Sequence, residues 1–361
     1  MAFTIEPYPQ FSWSMTRQRL LDTCPRAYYI RYYLGHNGWL DGASDRTRLA
    51  YRLSKLTGLD AILGSEMDER AREIETAVRA GSPPPSADEL EERTRRTLRE
   101  AWKSSRDQRA AFERSPNRVT MLQSFYLDNE PPDERTVDRI NEKLPACIAN
   151  LLAVADWERL AACGGDGCVL IPDFAHFMLG GVKVFAAGDL AYIADGVLHV
   201  IDWKSGRPGD DDTTQVLLAA YAVALDAGMA TGAATADADD PFADWAPAPG
   251  ARGTGAVAGT SGTTDTSGRA GAFGSSGGAG AAATTLRPEL HYLLTGDSHS
   301  PEVPRDLESF VAEVVAAGIK AMRDLLRDPY ENAPLPEDEF ERRESGICSG
   351  YCAYASLCVG G

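Results

Sequence analysis

The chain has 361 residues, 43% of them hydrophobic and 25% charged, with a formal net charge of −17 at pH 7. That is apolar enough to bury a sizeable core, in one large domain or two smaller ones. The acidic balance excludes nucleic-acid binding by bulk charge, so any such contact needs a local basic groove, and no apolar run approaches the length of a membrane-spanning helix. The opening MAFTIEPYPQ has no basic stretch followed by an apolar one, so a cytoplasmic protein is expected. Seven cysteines without such a signal point to reduced thiols or metal ligation, not to a disulfide framework.

Residues 10–34 open with a predicted helix capped by Ser14, with Leu20 and Leu21 as its apolar positions. Cys24-Pro25 breaks or restarts it, and the aromatic run Tyr28, Tyr29, Tyr32 and Tyr33 reads as core packing. Arg17, Arg19, Arg26, Arg31, Arg46, Arg48, Arg52 and Lys55 make this arm locally basic, the best candidate for a phosphate-facing surface. Residues 46–80 read as two helices around Gly58 to Gly64. GSPPP at 81–85 is a linker, and Ser86 caps a charge-laced helix from Ala87 to about Glu113. Its apolar contacts are Leu90, Leu98, Trp102 and Phe112, and its charges read as a solvated face. A further helix is expected from about Asp133 to Leu160. Cys147, Cys163 and Cys168 read as ordinary buried or loop cysteines.

The stretch GDLAYIADGVLHVIDWKSG, residues 188–206, reads as a hairpin. Asp195-Gly196 suits a two-residue turn in which both central residues need positive φ. Val184, Phe185, Leu190, Tyr192 and Ile193 supply one strand-like arm; Val197, Leu198, Val200 and Ile201 supply the other. A two-residue loop pairs Ala194 with Val197 and therefore Asp189 with Asp202. Directly opposed like charges are destabilising. Lys204, two residues beyond Asp202, points to the same face. A structural ion triad is one reading of this group. A divalent cation such as Mg²⁺, which takes carboxylate oxygens, is the other.

Past the hairpin, Asp210 to Thr214 can cap a helix running through Ala224. Residues 230–285 turn acidic and then rich in Gly, Ala, Ser and Thr, and are expected to be a flexible insert. Leu286 begins a strand, and Asp306 caps an amphipathic helix to about Arg327. The tail carries Cys348, Cys352 and Cys358 within eleven residues, a ligand pattern that needs a fourth thiolate; Cys24 is the obvious donor. Zinc, an iron–sulfur cluster and an unligated trio all remain open on spacing alone.

The pattern D-(x)12-D-x-K formed by Asp189, Asp202 and Lys204, with Ser205-Gly206 behind it, resembles the core of the PD-(D/E)XK nucleases, in their RecB-like form. The tail, with the Cys-Pro-Arg context at Cys24, resembles the iron–sulfur staple of AddB-like members, although C-x3-C stands where that family usually has C-x2-C. The resemblance implies an α/β fold: a restriction-endonuclease-like core, a small mixed sheet flanked by helices, with a helical insertion and a C-terminal cysteine cluster. It divides the chain into an N-terminal arm and first core helix (1–80), the helical insertion (81–165), the nuclease core (166–229), the flexible insert (230–285) and a final strand, helix and cluster tail (286–361). It implies a Mg²⁺- or Mn²⁺-dependent DNA nuclease acting on single strands or processed ends, in repair, recombination or defence. A helicase or another repair or defence protein is the implied class of partner. Asp189 and Asp202 would bind the cation with the Trp203 carbonyl and Asp68, which stands where the family carries a histidine. Lys204 would act on the attacking water, Gln215 would touch substrate or water, and Cys24, Cys348, Cys352 and Cys358 would hold a [4Fe–4S] cluster. The family's Q-x-x-x-Y is replaced here by Gln215 and Tyr221, six apart. The competing expectation is a DNA-binding or scaffold subunit that kept the fold and the cluster.

Overall fold

The computed structural model describes residues 5–163, 167–171, 174–229, 283–343 and 352–358. Strand β1 (Ser12–Ser14) runs into helix α1 (Met15–Thr23), whose N-cap Ser14 accepts a hydrogen bond from the Arg17 amide. Cys24 ends α1 in extended geometry. Pro25, with no N–H to leave unpaired, opens α2 (Pro25–Tyr29), and a π turn follows over Ile30–Leu34. Tyr28 and Tyr33 are buried against each other, as core packing of the aromatic run requires. The cations of this arm are largely engaged within the fold. Arg26 is buried beside Glu337, Arg46 shares that carboxylate, Arg19 reaches Asp211, and Arg17 lies over the Tyr32 ring. The arm is therefore not the open basic surface its composition suggests.

Helix α3 spans Asp45–Leu53 and α4 spans Leu59–Arg79. Gly58 is the N-cap of α4, while Gly64 lies inside the helix, not in a break; a Cβ there would come within 3.5 Å of Ser205 Oγ. Helix α5 (Ala87–Asp107) begins with a reciprocal capping box between Ser86 and Glu89 and stops at Gln108, before α6 (Arg109–Arg114). Then come α7 (Gln123–Leu127), α8 (Glu134–Leu152, capped by Asp133) and α9 (Asp156–Cys163). The single helix expected from Asp133 to Leu160 is thus two. The break turns Asp156 and Trp157 inward, and Trp157 Nε1 donates to the Leu151 carbonyl at 2.7 Å.

Strands β2 (Cys168–Val169), β3 (His176–Leu179), β4 (Val182–Phe185), β5 (Leu190–Ala194) and β6 (Val197–Lys204) follow, then α10 (Asp212–Asp226). Beyond the segment 230–282, which lies outside the described residues, are β7 (Thr285–Tyr292), β8 (Asp297–His299) and α11 (Leu307–Arg323, capped by Asp306). Strand β9 (Leu326–Asp328) takes the residues expected to finish α11 and pairs with β10 (Ala333–Pro334); α12 (Ala355–Cys358) comes last.

The main sheet has the order β2-β5-β6-β7-β8, with β6 and β7 parallel and the other pairs antiparallel. A second sheet has the order β1-β4-β3. Val184 and Phe185 belong to this second sheet, paired in parallel with Trp13 and Ser14, and not to the hairpin arm. Strand β6 is buried along both faces. Leu198 and Val200 meet Ala219, Ala220 and Val223 of α10. Ile201 and Trp203, on the alternate positions, meet Leu63 and Met67 of α4 and Leu144 and Ile148 of α8. Among the described residues no helix is long and apolar enough to cross a membrane.

Candidate active site

The hairpin turn fixes the register of the site. Asp195 and Gly196 have φ of 52° and 75°, Ala194 pairs with Val197, and the ladder runs to Leu190 opposite Ile201. Asp189, the next residue, donates its amide to the Ile201 carbonyl at 2.8 Å, and its Oδ2 accepts from the Trp203 amide at 2.7 Å. Asp189 and Asp202 are thereby neighbours at the end of the sheet away from the turn. Lys204 Nζ lies 2.6 Å from Asp202 Oδ2, on the same face. That Oδ2 is buried and receives no well-directed hydrogen bond; the ammonium is its one close partner among the described residues.

Asp68 enters from α4. Its carboxyl is pushed up to about 6, first by burial and then by the negative charge of Asp202, against the pull of Arg72 and Lys204. Asp189 is pushed well above the usual carboxylate range by burial, then by Asp202 and Asp68. Asp202 is raised by burial, with Lys204 opposing. Asp202 thus bears on both other carboxyls and Asp68 on Asp189, and the pull of Lys204, Arg72 and Arg19 brings none of the three down to its ordinary value. A cluster of hard oxygen donors that resists ionising together is a donor set suited to Mg²⁺ or Mn²⁺.

Two further groups belong to this site, although the sequence placed one in the basic arm and the other in a helix-capping stretch. Asp212, at the start of α10, is buried; its Oδ2 accepts from the Gly209 amide at 2.7 Å and the Tyr292 hydroxyl at 3.3 Å. Arg19 of α1 holds Asp211 at 2.8 Å and approaches Asp212 at 3.8 Å. The two bear on Asp202 in opposite senses, Asp212 raising its pKa and Arg19 lowering it. Gln215 lies three residues beyond Asp212, hence on the same side of α10, and is partly exposed. Tyr221 points elsewhere, buried edge-on against Phe177 in the core. The Trp203 side chain lies on the opposite face of the sheet, between Trp157 and His291; only its main chain borders the acids.

On that opposite face lies a second acidic group. Asp156, Glu289 and His291 offer ligand atoms within 4.8 Å of one another. Its charges are already answered. Asp156 accepts from the Tyr192 hydroxyl and pairs with Arg159 at 3.3 Å and His291 at 3.2 Å. Glu289 holds His199 at 2.8 Å and Arg287 at 3.3 Å. Burial pushes Asp156 up, yet hydrogen bonds from His291 and Tyr192 outweigh it and hold the carboxyl below its ordinary value. The Asp68–Asp189–Asp202 group shows the opposite behaviour, each of its carboxyls being raised.

Three described cysteines meet at the join of the chain's two ends. Cys24, between α1 and α2, and Cys352 and Cys358 pack round Tyr354 and Leu357. Burial raises the Cys358 thiol, and Cys352 and Cys24 raise it further. Cys348 lies outside the described residues. Cys147 is fully buried on α8, as its apolar surroundings in the sequence suggest.

No similar chain is found among curated proteins. The family model of the PD-(D/E)XK nuclease superfamily matches residues 12–359. That interval begins at β1 and takes in both acids of the hairpin, the lysine beyond them, the helix that brings Asp68, and α12. With its α/β architecture of small mixed sheets flanked by helices, this chain belongs to the PD-(D/E)XK nuclease superfamily.

Proposed function

We propose that the chain is a RecB-like, Mg²⁺- or Mn²⁺-dependent nuclease that hydrolyses phosphodiester bonds in single-stranded DNA or at DNA ends. The observation that carries the reading is a lysine held 2.6 Å from Asp202 beside three raised carboxyls, two of which, Asp68 and Asp189, are raised in part by Asp202. Asp68, Asp189 and Asp202, with the Trp203 carbonyl, would hold the cation. A cation so bound supplies a lowered pKa for bound water and positive charge against the scissile phosphate. The chain's own groups do the rest. Asp189 takes the Trp203 amide with one oxygen, which fixes the end of β6. Lys204 brings an ammonium to the acids' face, where it orients the attacking water and answers charge that develops on the phosphate. Gln215, on the first turn of α10, contacts substrate or water. Cys24, Cys352 and Cys358, with Cys348 as fourth ligand, would hold a [4Fe–4S] cluster tying the two ends of the chain; zinc is the alternative occupant.

The test is cleavage of end-labelled single strands with Mg²⁺ or Mn²⁺, wild type against Lys204→Ala. A loss of at least about a hundredfold is expected, the scale of losing one electrostatic contact to the transition state. Equal cleavage by the variant overturns the mechanism. DNA binding with no cleavage by the wild type would instead favour a scaffold subunit, the reading motivated by Asp68 standing in place of histidine. Visible absorbance after anaerobic purification separates the iron–sulfur occupant from zinc.

A further inference from the structure

The strongest unassigned feature lies on the helical insertion. Helices α5 and α8 diverge around an open cavity of about 380 Å³. Its floor is apolar: Leu98 and Trp102 from α5, Val137 and Ile140 from α8. Its rim carries Arg95, Arg99, Lys103 and Arg106, and no acid lines it. In a chain of net charge −17, four cations round one apolar groove stand out from the background. They are spaced at intervals of four, four and three along α5, so they form a single stripe about 16 Å long, at 1.5 Å per residue. That is the span of about five stacked nucleotides at 3.4 Å each. Trp102 is partly exposed and set edge-on to Phe125, which holds its ring in place.

We propose that this groove binds the single-stranded stretch of the nucleic-acid substrate next to the scissile phosphate. The proposal rests on the nuclease reading for the identity of that substrate. Bases stack on Trp102 and its apolar neighbours while the stripe of cations meets the phosphates. Three of the cations already have partners. Arg95 holds Glu91, Arg99 holds Glu92 and Arg106 holds Asp107. The Arg99 and Arg106 pairs are well exposed, so each contributes at most about 1 kcal/mol and yields readily to a phosphate. The groove is also joined to the site by one rigid element. Leu59, at the start of α4, lines it, and Asp68 is nine residues further along the same helix, about 14 Å away. Nine residues at 100° each also put Asp68 half a turn round α4 from Leu59, so a strand lying in the groove must cross that helix to reach the acids. An acidic amphipathic helix is the other occupant that such a groove could take. The spread of cations along a whole helix face, with an indole among them, favours a strand with regularly repeated charge.

The experiment reads binding without cleavage. Fluorescence anisotropy of a labelled oligothymidylate is measured in EDTA for the full chain, for Arg99→Glu/Lys103→Glu and for Trp102→Ala. The charge-reversal pair is expected to weaken binding at least tenfold and to lower the slope of log K against log salt by about 1.4, the release expected for two phosphate contacts on a single strand. Trp102→Ala is expected to weaken binding by about fivefold to 150-fold, the loss of about 1–3 kcal/mol for one stacked base. Circular dichroism checks that each variant is folded. An oligonucleotide affinity and salt slope equal to wild type in the folded charge-reversal variant overturns the proposal, as does saturation of the groove by an acidic helical peptide that oligothymidylate cannot displace. The two readings fail separately. Groove-dependent binding without cleavage under Mg²⁺ or Mn²⁺ removes the nuclease and keeps the strand site. Cleavage and binding that both ignore the groove do the reverse.

Discussion

Replacing Asp68 by Asn tests the electrostatics of the acid cluster without reference to cleavage. In the metal-free protein the Asp68 carboxyl titrates at about 6, against 3.8 for the free side chain. Between those values the folded chain holds a proton that the unfolded chain has lost. Stability at this group is therefore greatest at low pH and is lost as pH rises through about 6. Just over two decades of proton affinity, at about 1.4 kcal/mol each, sets a ceiling of about 3 kcal/mol on the penalty at neutral pH. Asp68→Asn removes that penalty together with its contribution to Asp189, which Asp68 also pushes up. In EDTA at pH 7.5 the variant is expected to be more stable than wild type, by up to about 6 °C at about 2 °C per kcal/mol for a large domain. At pH 3, below the free value of 3.8, the two should melt together. Mg²⁺ should stabilise the wild type, by about 2.7 kcal/mol at a hundredfold excess over Kd, and should stabilise the variant much less. The assay is thermal unfolding at the two pH values, with EDTA or Mg²⁺. A variant that melts below wild type in EDTA at pH 7.5, or shows the same pH slope, refutes the argument that Asp68 is a strained member of the cluster.

Other substitutions separate the two faces of the main sheet. Tyr192→Phe removes a hydroxyl donor to the buried Asp156; it should cost about 1–3 kcal/mol in denaturant unfolding while leaving cleavage unchanged. Arg19→Ala frees Asp211 and Asp212 at the head of α10. Because the pair with Asp211 is well exposed, stability should change by less than about 1 kcal/mol, whereas cleavage should fall as the turn bearing Gln215 loosens. Gly196→Val places a branched side chain at φ 75° where the nearest atom is 3.9 Å away. Its cost should be the backbone's own, about 1–2 kcal/mol by equilibrium unfolding.

What the sequence reveals is what short-range chemistry decides. The Asp195-Gly196 turn dictates the pairing of its arms, and from that pairing the meeting of Asp189, Asp202 and Lys204 follows by counting. The caps at Ser14, Ser86, Asp133 and Asp306 are equally legible, because each oxygen bonds an amide three residues away. The misreadings are long-range. Val184 looks like part of the hairpin because it is apolar and near it. It is claimed by Trp13, some 170 residues earlier. The break before Asp156 is invisible until Tyr192, Arg159 and His291 are there to receive the carboxylate. Arg19 and Asp212 meet only because α1 packs beside the start of α10, a contact that no local pattern encodes. The charges of α5 read as a solvated face, and only the approach of α8 turns part of that face into a groove.

The parallel pairing of β6 with β7 has a topological consequence. Strand β6 runs from the turn to the acids, α10 runs back, and β7 starts again beside the turn, with Thr284 and Thr285 both donating to the Gly196 carbonyl. Met229 and Ala283, which flank the segment 230–282, pack on one apolar cluster at that pole. The pole is about 23 Å along β6 from Lys204. The interval between those anchors is therefore a natural handle: a fluorophore, an affinity tag or a tether to a surface could be spliced in there, and the protein would be held by the end that faces away from its chemistry.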